Sequence, residues 1–115
     1  MSYHLFLDDE RFPPEDGIPW IIVRTVRDAI WTVERHGMPG HIAFDHDLGP
    51  PPEGEGIEGT SEAMRFVHWL KDRILDAEPD LSGFSYFVHS QNPIGRTNIV
   101  GLMDPLIAHA RAGYR

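Results

Sequence analysis

The feature that most constrains the fold is a series of four short apolar runs, with segments of helical periodicity after the last three. Runs of four or five residues that are rich in β-branched and aromatic side chains are typical of strands buried on both faces. The predicted strands are Tyr3–Leu7, Trp20–Arg24, His41–Phe44 and Phe84–Val88. Since strands that alternate with helices imply parallel crossovers, the pattern predicts a three-layer, open and mainly parallel four-stranded sheet with flanking helices.

The helices are predicted from apolar stripes and from residues that begin or end helices. The first begins at Thr25, a favourable N-cap, and ends at Gly37. The second is expected to begin at Thr60 or Ser61, and Pro105 is expected to kink the third or to divide it in two. The buried stripes are Val26, Ala29, Ile30 and Val33; Ala63, Val67, Leu70 and Ile74; and Ile99, Leu102, Met103, Leu106 and Ala110.

Composition narrows the class of protein. A length of 115 residues with 41% hydrophobic residues predicts one domain over residues 1–115 with one modest core. A net charge of -8 argues against binding duplex DNA but leaves a small nucleotide open. The absence of cysteine excludes disulfides and thiolate sites, and no apolar run is long enough for a membrane span. With no signal-peptide pattern at the N-terminus, a cytoplasmic protein is expected.

Polar side chains directly follow the first, third and fourth predicted strands. Because the carboxyl ends of parallel strands lie at one edge of a sheet, these side chains are expected to converge there. They are Asp8, Asp9, Asp45, His46, Asp47, His89, Ser90 and Asn92. The glycine-, proline- and glutamate-rich segment 49–59 follows the central acids and is expected to act as a lid.

Four of these residues are candidate metal ligands, namely Asp8, Asp9, Asp45 and Asp47. Carboxylates packed together repel unless some are protonated or a cation compensates them. Oxygen ligands favour Mg²⁺ or Mn²⁺ as a divalent cofactor. The alternative is that one acid caps a helix, another is solvated, and no metal binds.

The same segment contains candidate catalytic residues. An Asp-x-Asp pair after a strand, here Asp45 and Asp47, suits phosphotransfer in which the first acid attacks phosphorus and the second handles protons. His46 and His89 are candidates for acid–base catalysis, and such a pair can cleave a phosphodiester without metal. For each histidine alone, a structural role is an open alternative.

A phosphate-binding site is predicted around the start of the last helix. Free backbone donors at a helix N-terminus attract anions, and Arg96 adds a planar cation. Arg11, three residues after Asp8, is a second cation at this edge. Ser90 and Asn92 complete the predicted phosphate-binding set, with an ordinary Asn-Pro turn and a surface arginine as the alternative.

Three blocks of the sequence resemble the signature blocks of the cyclic-phosphate processing receiver-like domains. The blocks are Leu7–Pro13, Phe44–Gly49 and His89–Arg96, in the same order and across nearly the whole chain. The resemblance implies a fold similar to response-regulator receivers, which are flavodoxin-like. It also implies a role in processing cyclic phosphate ends or cyclic nucleotides.

The sequence both matches and departs from that of true receivers. Asp8 and Asp9 match their acid pair, Asp45 matches the phosphoacceptor, and Ser90 falls near their small hydroxyl residue. A proline-rich loop replaces the first receiver helix, and the chain ends before a fifth strand with its site lysine. The histidines after the third and fourth strands are also foreign to the receiver pattern, which argues against simple phosphorelay signalling.

The leading hypothesis is a phosphoesterase that acts on a cyclic phosphate in a small cyclic nucleotide or at an RNA end. One alternative is an atypical receiver, phosphorylated at Asp45 or sensing phosphate. Another is a protein that binds a nucleotide without turnover. The expected partner is a small phosphorylated ligand or an RNA end, with neither duplex DNA nor a membrane, and the oligomeric state stays open.

Overall fold

The alternation of strands and helices is the predicted one. The structure, a computed structural model, describes residues 3–8, 11–45, 62–89 and 93–114. Each strand lies within one residue of its predicted range. The elements in order are β1 (His4–Leu7), β2 (Trp20–Val23), α1 (Val26–His36), β3 (His41–Phe44), α2 (Glu62–Ala77), β4 (Ser85–Val88) and α3 (Pro93–Arg111).

The four strands form one sheet in the order β2-β1-β3-β4, with every neighbouring pair parallel. Leu7 pairs with Val23 of β2 and with Phe44 of β3, and Phe44 pairs with Val88 of β4. All four strands therefore end at the same level. This strand order is that of flavodoxin-like proteins, and it confirms the predicted receiver-like sheet.

The described helices all lie on one face of the sheet, so this part of the molecule has two layers, where three were predicted. α1 packs against α2, and α2 packs against α3. Leu5 and Leu7 are fully buried in the core shared with the helices, whereas His4 and Phe6 project from the opposite face. The β1–β2 connection runs across the sheet in the other direction from the later connections. Right-handed crossovers therefore place residues 11–19, which are rich in proline and cannot form a helix, on the second face.

The helix ends follow from local signals where these are described. The N-cap Thr25 accepts a hydrogen bond from the backbone N–H of Asp28 at 3.1 Å, and Gly37 ends α1 with a φ of 82°. Helix α3 runs through Pro105 as one element. The predicted caps at positions 60 and 61 lie outside the described residues. Within the described chain, every helix is too short or too polar to cross a membrane.

Truncating Phe44 is expected to destabilise the fold strongly. Its ring is fully buried against Phe66 and Tyr86, with centroid separations of 5.9 and 6.2 Å. Phe44→Ala should lower the free energy of unfolding by about 3–5 kcal/mol, since it removes a large core side chain and leaves a cavity. Urea denaturation measures this loss. Trp31→Ala, on the solvent face of α1, serves as control and should cost less than about 1 kcal/mol; equal losses in the two variants would contradict the placement of Phe44.

Candidate functional site

Three polar residues, each the first after a strand, meet at the carboxyl edge of the sheet. Asp8 follows β1, Asp45 follows β3 and His89 follows β4. The ladder of backbone hydrogen bonds continues to them: the N–H of Asp45 donates to the carbonyl of Leu7 at 2.9 Å, and that of His89 donates to the carbonyl of Phe44 at 2.8 Å. The backbone of each residue is therefore fixed by the sheet, and its side chain starts from a rigid position.

Asp8 and His89 form a side-chain pair at this edge. The Asp8 carboxylate is fully buried, and its Oδ2 lies 2.9 Å from Nε2 of His89. Its Oδ1 accepts the backbone N–H of Arg11 at 2.9 Å. When the Asp8 carboxylate is ionised it only accepts hydrogen bonds, so Nε2 of His89 is then the donor of this bond. In that tautomer Nδ1 is the proton acceptor, which is the arrangement of an oriented general base.

The His89 ring is also held by neighbouring aromatic rings. It stacks on Phe6 with a centroid distance of 5.2 Å and an interplanar angle of 11°, and Phe87 lies nearly parallel at 6.3 Å. Its side chain remains 16% exposed. Asp8 fixes one nitrogen and the stacking fixes the ring plane, so the imidazole has a defined orientation while part of it stays accessible.

Arg24 also belongs to this edge, a role that the sequence analysis missed. It is the first residue after β2. Its Nη1 donates to the carbonyl of Asp8 at 3.1 Å and also donates to the carbonyl of Arg11. The guanidinium lies over the ring of Phe12 at 4.8 Å. Arg24 therefore ties the start of the proline-rich loop to the sheet edge; its position directly after a strand was the signal that could have identified it.

A cavity of about 390 Å³ lies on the second face of the sheet, under the proline-rich loop. His89 lines the cavity as well as pairing with Asp8, so the cavity and the carboxyl edge are continuous. Aromatic rings form much of its wall. Its lining includes Phe6, Arg11, Phe12, Trp20, Phe87 and His89.

A family model described as the cyclic-phosphate processing receiver domain matches residues 3–105. The chain belongs to this family. The match covers β1 through most of α3 and so includes every described residue of the edge site. The family indicates a role in cyclic-phosphate processing. Comparisons with curated proteins and with solved structures gave no match.

The predicted phosphate-binding residues of this receiver domain are only partly described. The backbone of Arg11 bonds to Asp8, and its exposed side chain lines the cavity. Arg96 is exposed in the first turn of α3, and this helix starts four residues after His89, so its N-terminus lies near the same edge. Ser90 and Asn92 lie outside the described residues.

The described part of the receiver domain contains two of the four predicted metal ligands. Asp8 and Asp45 follow the neighbouring strands β1 and β3, and both are buried. Two carboxylates suit Mg²⁺, which takes one or two from a protein. Among the described residues no group of three or more metal-binding side chains is present. The other candidates at this edge, Asp9, His46 and Asp47, lie outside the described residues, as does the predicted lid at 49–59.

Proposed function

We propose that the protein is a phosphoesterase that hydrolyses a cyclic phosphate, in a cyclic nucleotide or at the 2′,3′-cyclic phosphate end of an RNA. The observation that carries the proposal is the buried Asp8 carboxylate bonded to His89 at 2.9 Å. A carboxylate that holds an imidazole in one tautomer beside an accessible surface is typical of acid–base catalysis. Simple phosphorelay signalling has no need of such a pair.

In the proposed reaction His89 activates water. Its Nδ1 takes a proton from the water while the water oxygen bonds to phosphorus. One ester P–O bond of the ring breaks, and the leaving oxygen gains a proton to give an open phosphate monoester. The Asp8 carboxylate stabilises the imidazolium that forms. His46 is the proposed donor of the leaving-group proton.

Charge on the phosphate oxygens requires compensation during this step. In the proposal Arg11 and Arg96 supply cations, and Ser90 and Asn92 donate hydrogen bonds to the phosphate. Asp8 and Asp45, with Asp9 and Asp47, are the proposed ligands of Mg²⁺ or Mn²⁺. When bound, such an ion would neutralise phosphate charge and make a nearby water more acidic.

A receiver-type function is the second candidate, because one observation favours it. Asp45 stands directly after β3, which pairs with β1, the strand that Asp8 follows, and it is 6% exposed. This is the position of a phosphoacceptor in the receivers that the sequence resembles. In this function Asp45 would attack a small phosphodonor and become phosphorylated in the presence of Mg²⁺.

Hydrolysis of a panel of cyclic nucleotides tests the proposal. We expect the protein to convert 2′,3′-cyclic or 3′,5′-cyclic nucleotides to monoesters, because the Asp8–His89 pair can activate water. The reactions are run with Mg²⁺, Mn²⁺ or EDTA, and chromatography with phosphorus NMR identifies the products.

Each outcome of the panel separates the candidates. Ligand recovered unchanged from every reaction would contradict the enzyme and leave a binding protein. Turnover unaffected by EDTA would eliminate the metal and leave the histidine pair. Labelling of Asp45 by acetyl phosphate, absent in Asp45→Asn and without turnover of cyclic nucleotides, would favour the receiver function.

A further inference from the structure

The second face of the sheet carries an apolar surface that the described helices do not cover. Phe87 is 55% exposed and Ile22 is 38% exposed, although both lie on strands. Phe6 and Ala43 are nearly buried on this face and line the cavity. Phe12, from the proline-rich loop, lines the cavity from above and is itself 76% exposed. A folded protein rarely exposes so many large apolar side chains together without a binding role.

The rings that line the cavity are arranged for a flat ligand. Phe6 and Phe87 lie at 11° and 18° to the plane of His89, so one wall consists of nearly parallel rings. Trp20 stands edge-on to Phe6 at 5.8 Å, with an interplanar angle of 80°. A heteroaromatic ring gains both stacking and edge contacts in such surroundings. Stacking on aromatic side chains is also the usual way in which proteins bind nucleobases without reading their sequence.

The charges around the cavity match a ligand that is apolar at one end and anionic at the other. Among the described lining residues Arg11 is the cation, and its backbone is bonded to Asp8 at the sheet edge. His41 bonds Ser85 at 2.8 Å through Nδ1. Burial, and then the neighbouring His4, lower the pKa of His41, so this part of the wall stays uncharged at neutral pH. A ligand with its phosphate at the carboxyl edge and its planar ring in the cavity matches both the cation and the uncharged wall.

The volume of the cavity also suits a nucleoside. At about 390 Å³ the cavity lies in the lower part of the roughly 300–1,000 Å³ range of ligand sites. A nucleoside is a ligand of this size class. The continuity through His89 places the base side of such a ligand on the second face and its phosphate at the carboxyl edge.

We propose that this cavity binds the nucleobase of the ligand, so that the substrate class is nucleoside cyclic phosphates and not base-free cyclic phosphates. The proposal rests on the proposed function for the position of the phosphate. It adds a base-binding site made of Phe6, Phe12, Trp20 and Phe87. The base of a free nucleotide and the terminal base of an RNA share this chemistry.

Calorimetric titration with inert, product-like compounds tests the proposal. Adenosine 3′-monophosphate and 1-O-methylribose 3-phosphate differ only in the base. The nucleotide is expected to bind at least about tenfold more tightly, since stacking on one or two rings supplies that much affinity. Phe87→Ala and Phe12→Ala should each weaken nucleotide binding by about tenfold and leave the base-free compound unchanged.

Matched variants separate this result from a loss of folding. Both truncated rings are largely exposed, so the core stays intact. Trp31→Ala removes an aromatic ring about as exposed as Phe87 from α1, away from the cavity, and should leave binding of both compounds unchanged. A third titration, with a short oligoribonucleotide that ends in a 3′-phosphate, distinguishes a free nucleotide from an RNA end as the ligand that supplies the base. Tighter binding than the mononucleotide supports an RNA end, and exclusion of the oligonucleotide supports a free nucleotide.

The two proposals fail in different ways. Base-dependent binding that Phe87→Ala weakens, without hydrolysis of any cyclic nucleotide, would contradict the proposed enzymatic function and support the base-binding site. Equal hydrolysis of base-containing and base-free cyclic phosphates, unchanged in Phe87→Ala, would support the proposed enzymatic function and overturn the base-binding site. Equal or undetectable binding of the two compounds at millimolar concentration would also overturn it. Concentration-dependent dimerisation that Phe87→Ala abolishes, without base-dependent binding, would assign the face to a second copy of the chain.

Discussion

His89→Ala is expected to lower kcat for cyclic-phosphate hydrolysis by about 10²–10⁴-fold, the usual contribution of a positioned general base. In the structure Nε2 of His89 is bonded to Asp8 and the ring is stacked on Phe6, so Nδ1 is the nitrogen available to accept a proton. Alanine removes that acceptor. Steady-state kinetics with the nucleotide that the panel identifies measure the loss.

Two measurements separate catalysis from structure in this variant. His68→Ala removes an exposed histidine from α2 and should leave kcat unchanged. Added imidazole should restore part of the activity of His89→Ala, because a free base can enter the space that the ring vacates. Full activity in His89→Ala would eliminate the proposed mechanism. An inactive variant that also unfolds at lower urea concentration and is not rescued would indicate a structural role.

Asp8→Asn is expected to lower kcat by a similar factor, about 10²–10⁴-fold, although it only replaces one carboxylate oxygen with an amide NH₂ group. Asparagine retains an oxygen that can accept the backbone N–H of Arg11, so the loop contact survives. Its amide group would face Nε2 of His89 as a donor, where the native carboxylate accepts a hydrogen bond at 2.9 Å. The imidazole would then adopt the other tautomer, with the hydrogen on Nδ1 and no acceptor for water.

Comparison with further variants isolates this effect. Asp72→Asn, at an exposed position of α2, makes the same chemical change away from the site and should be neutral. Because the two residues act as one unit, the double variant Asp8→Asn with His89→Ala should be no slower than the slower single variant. Multiplicative losses would show that Asp8 acts independently of His89. If Asp8→Asn abolished EDTA-sensitive activity while His89→Ala retained it, Asp8 would be a metal ligand and not the partner of a base.

Local sequence determined the secondary structure because its signals act over a few residues. The N-cap at Thr25 and the glycine at position 37 are both used in the structure. The parallel arrangement then placed Asp8, Asp45 and His89 at one edge, a consequence of topology that needs no knowledge of side-chain packing. Arg24 obeys the same rule, but it was read as the last residue of a strand.

The choice of partners within the edge was decided by tertiary structure. The sequence predicted two histidines at the same edge as Asp8 and assigned neither a partner, and the strand register brings His89 to Asp8 from 81 residues away along the chain. Neither spacing nor periodicity contains that pairing, since it depends on how two strands separated by β3 align at their ends. His46, the other candidate, lies outside the described residues.

The exposure of side chains on the second face of the sheet was likewise decided by the tertiary structure. Trp20 was predicted only as the first residue of a buried strand, but it is half-buried and lines the cavity. The sequence by itself determined four parallel strands, their helices and an acidic, histidine-containing edge, because propensity and handedness are local or topological rules. The tertiary structure decided that the described helices occupy one face. Because the β1–β2 connection crosses the other face as a loop, Trp20 and Phe87 on the strands there stay partly exposed.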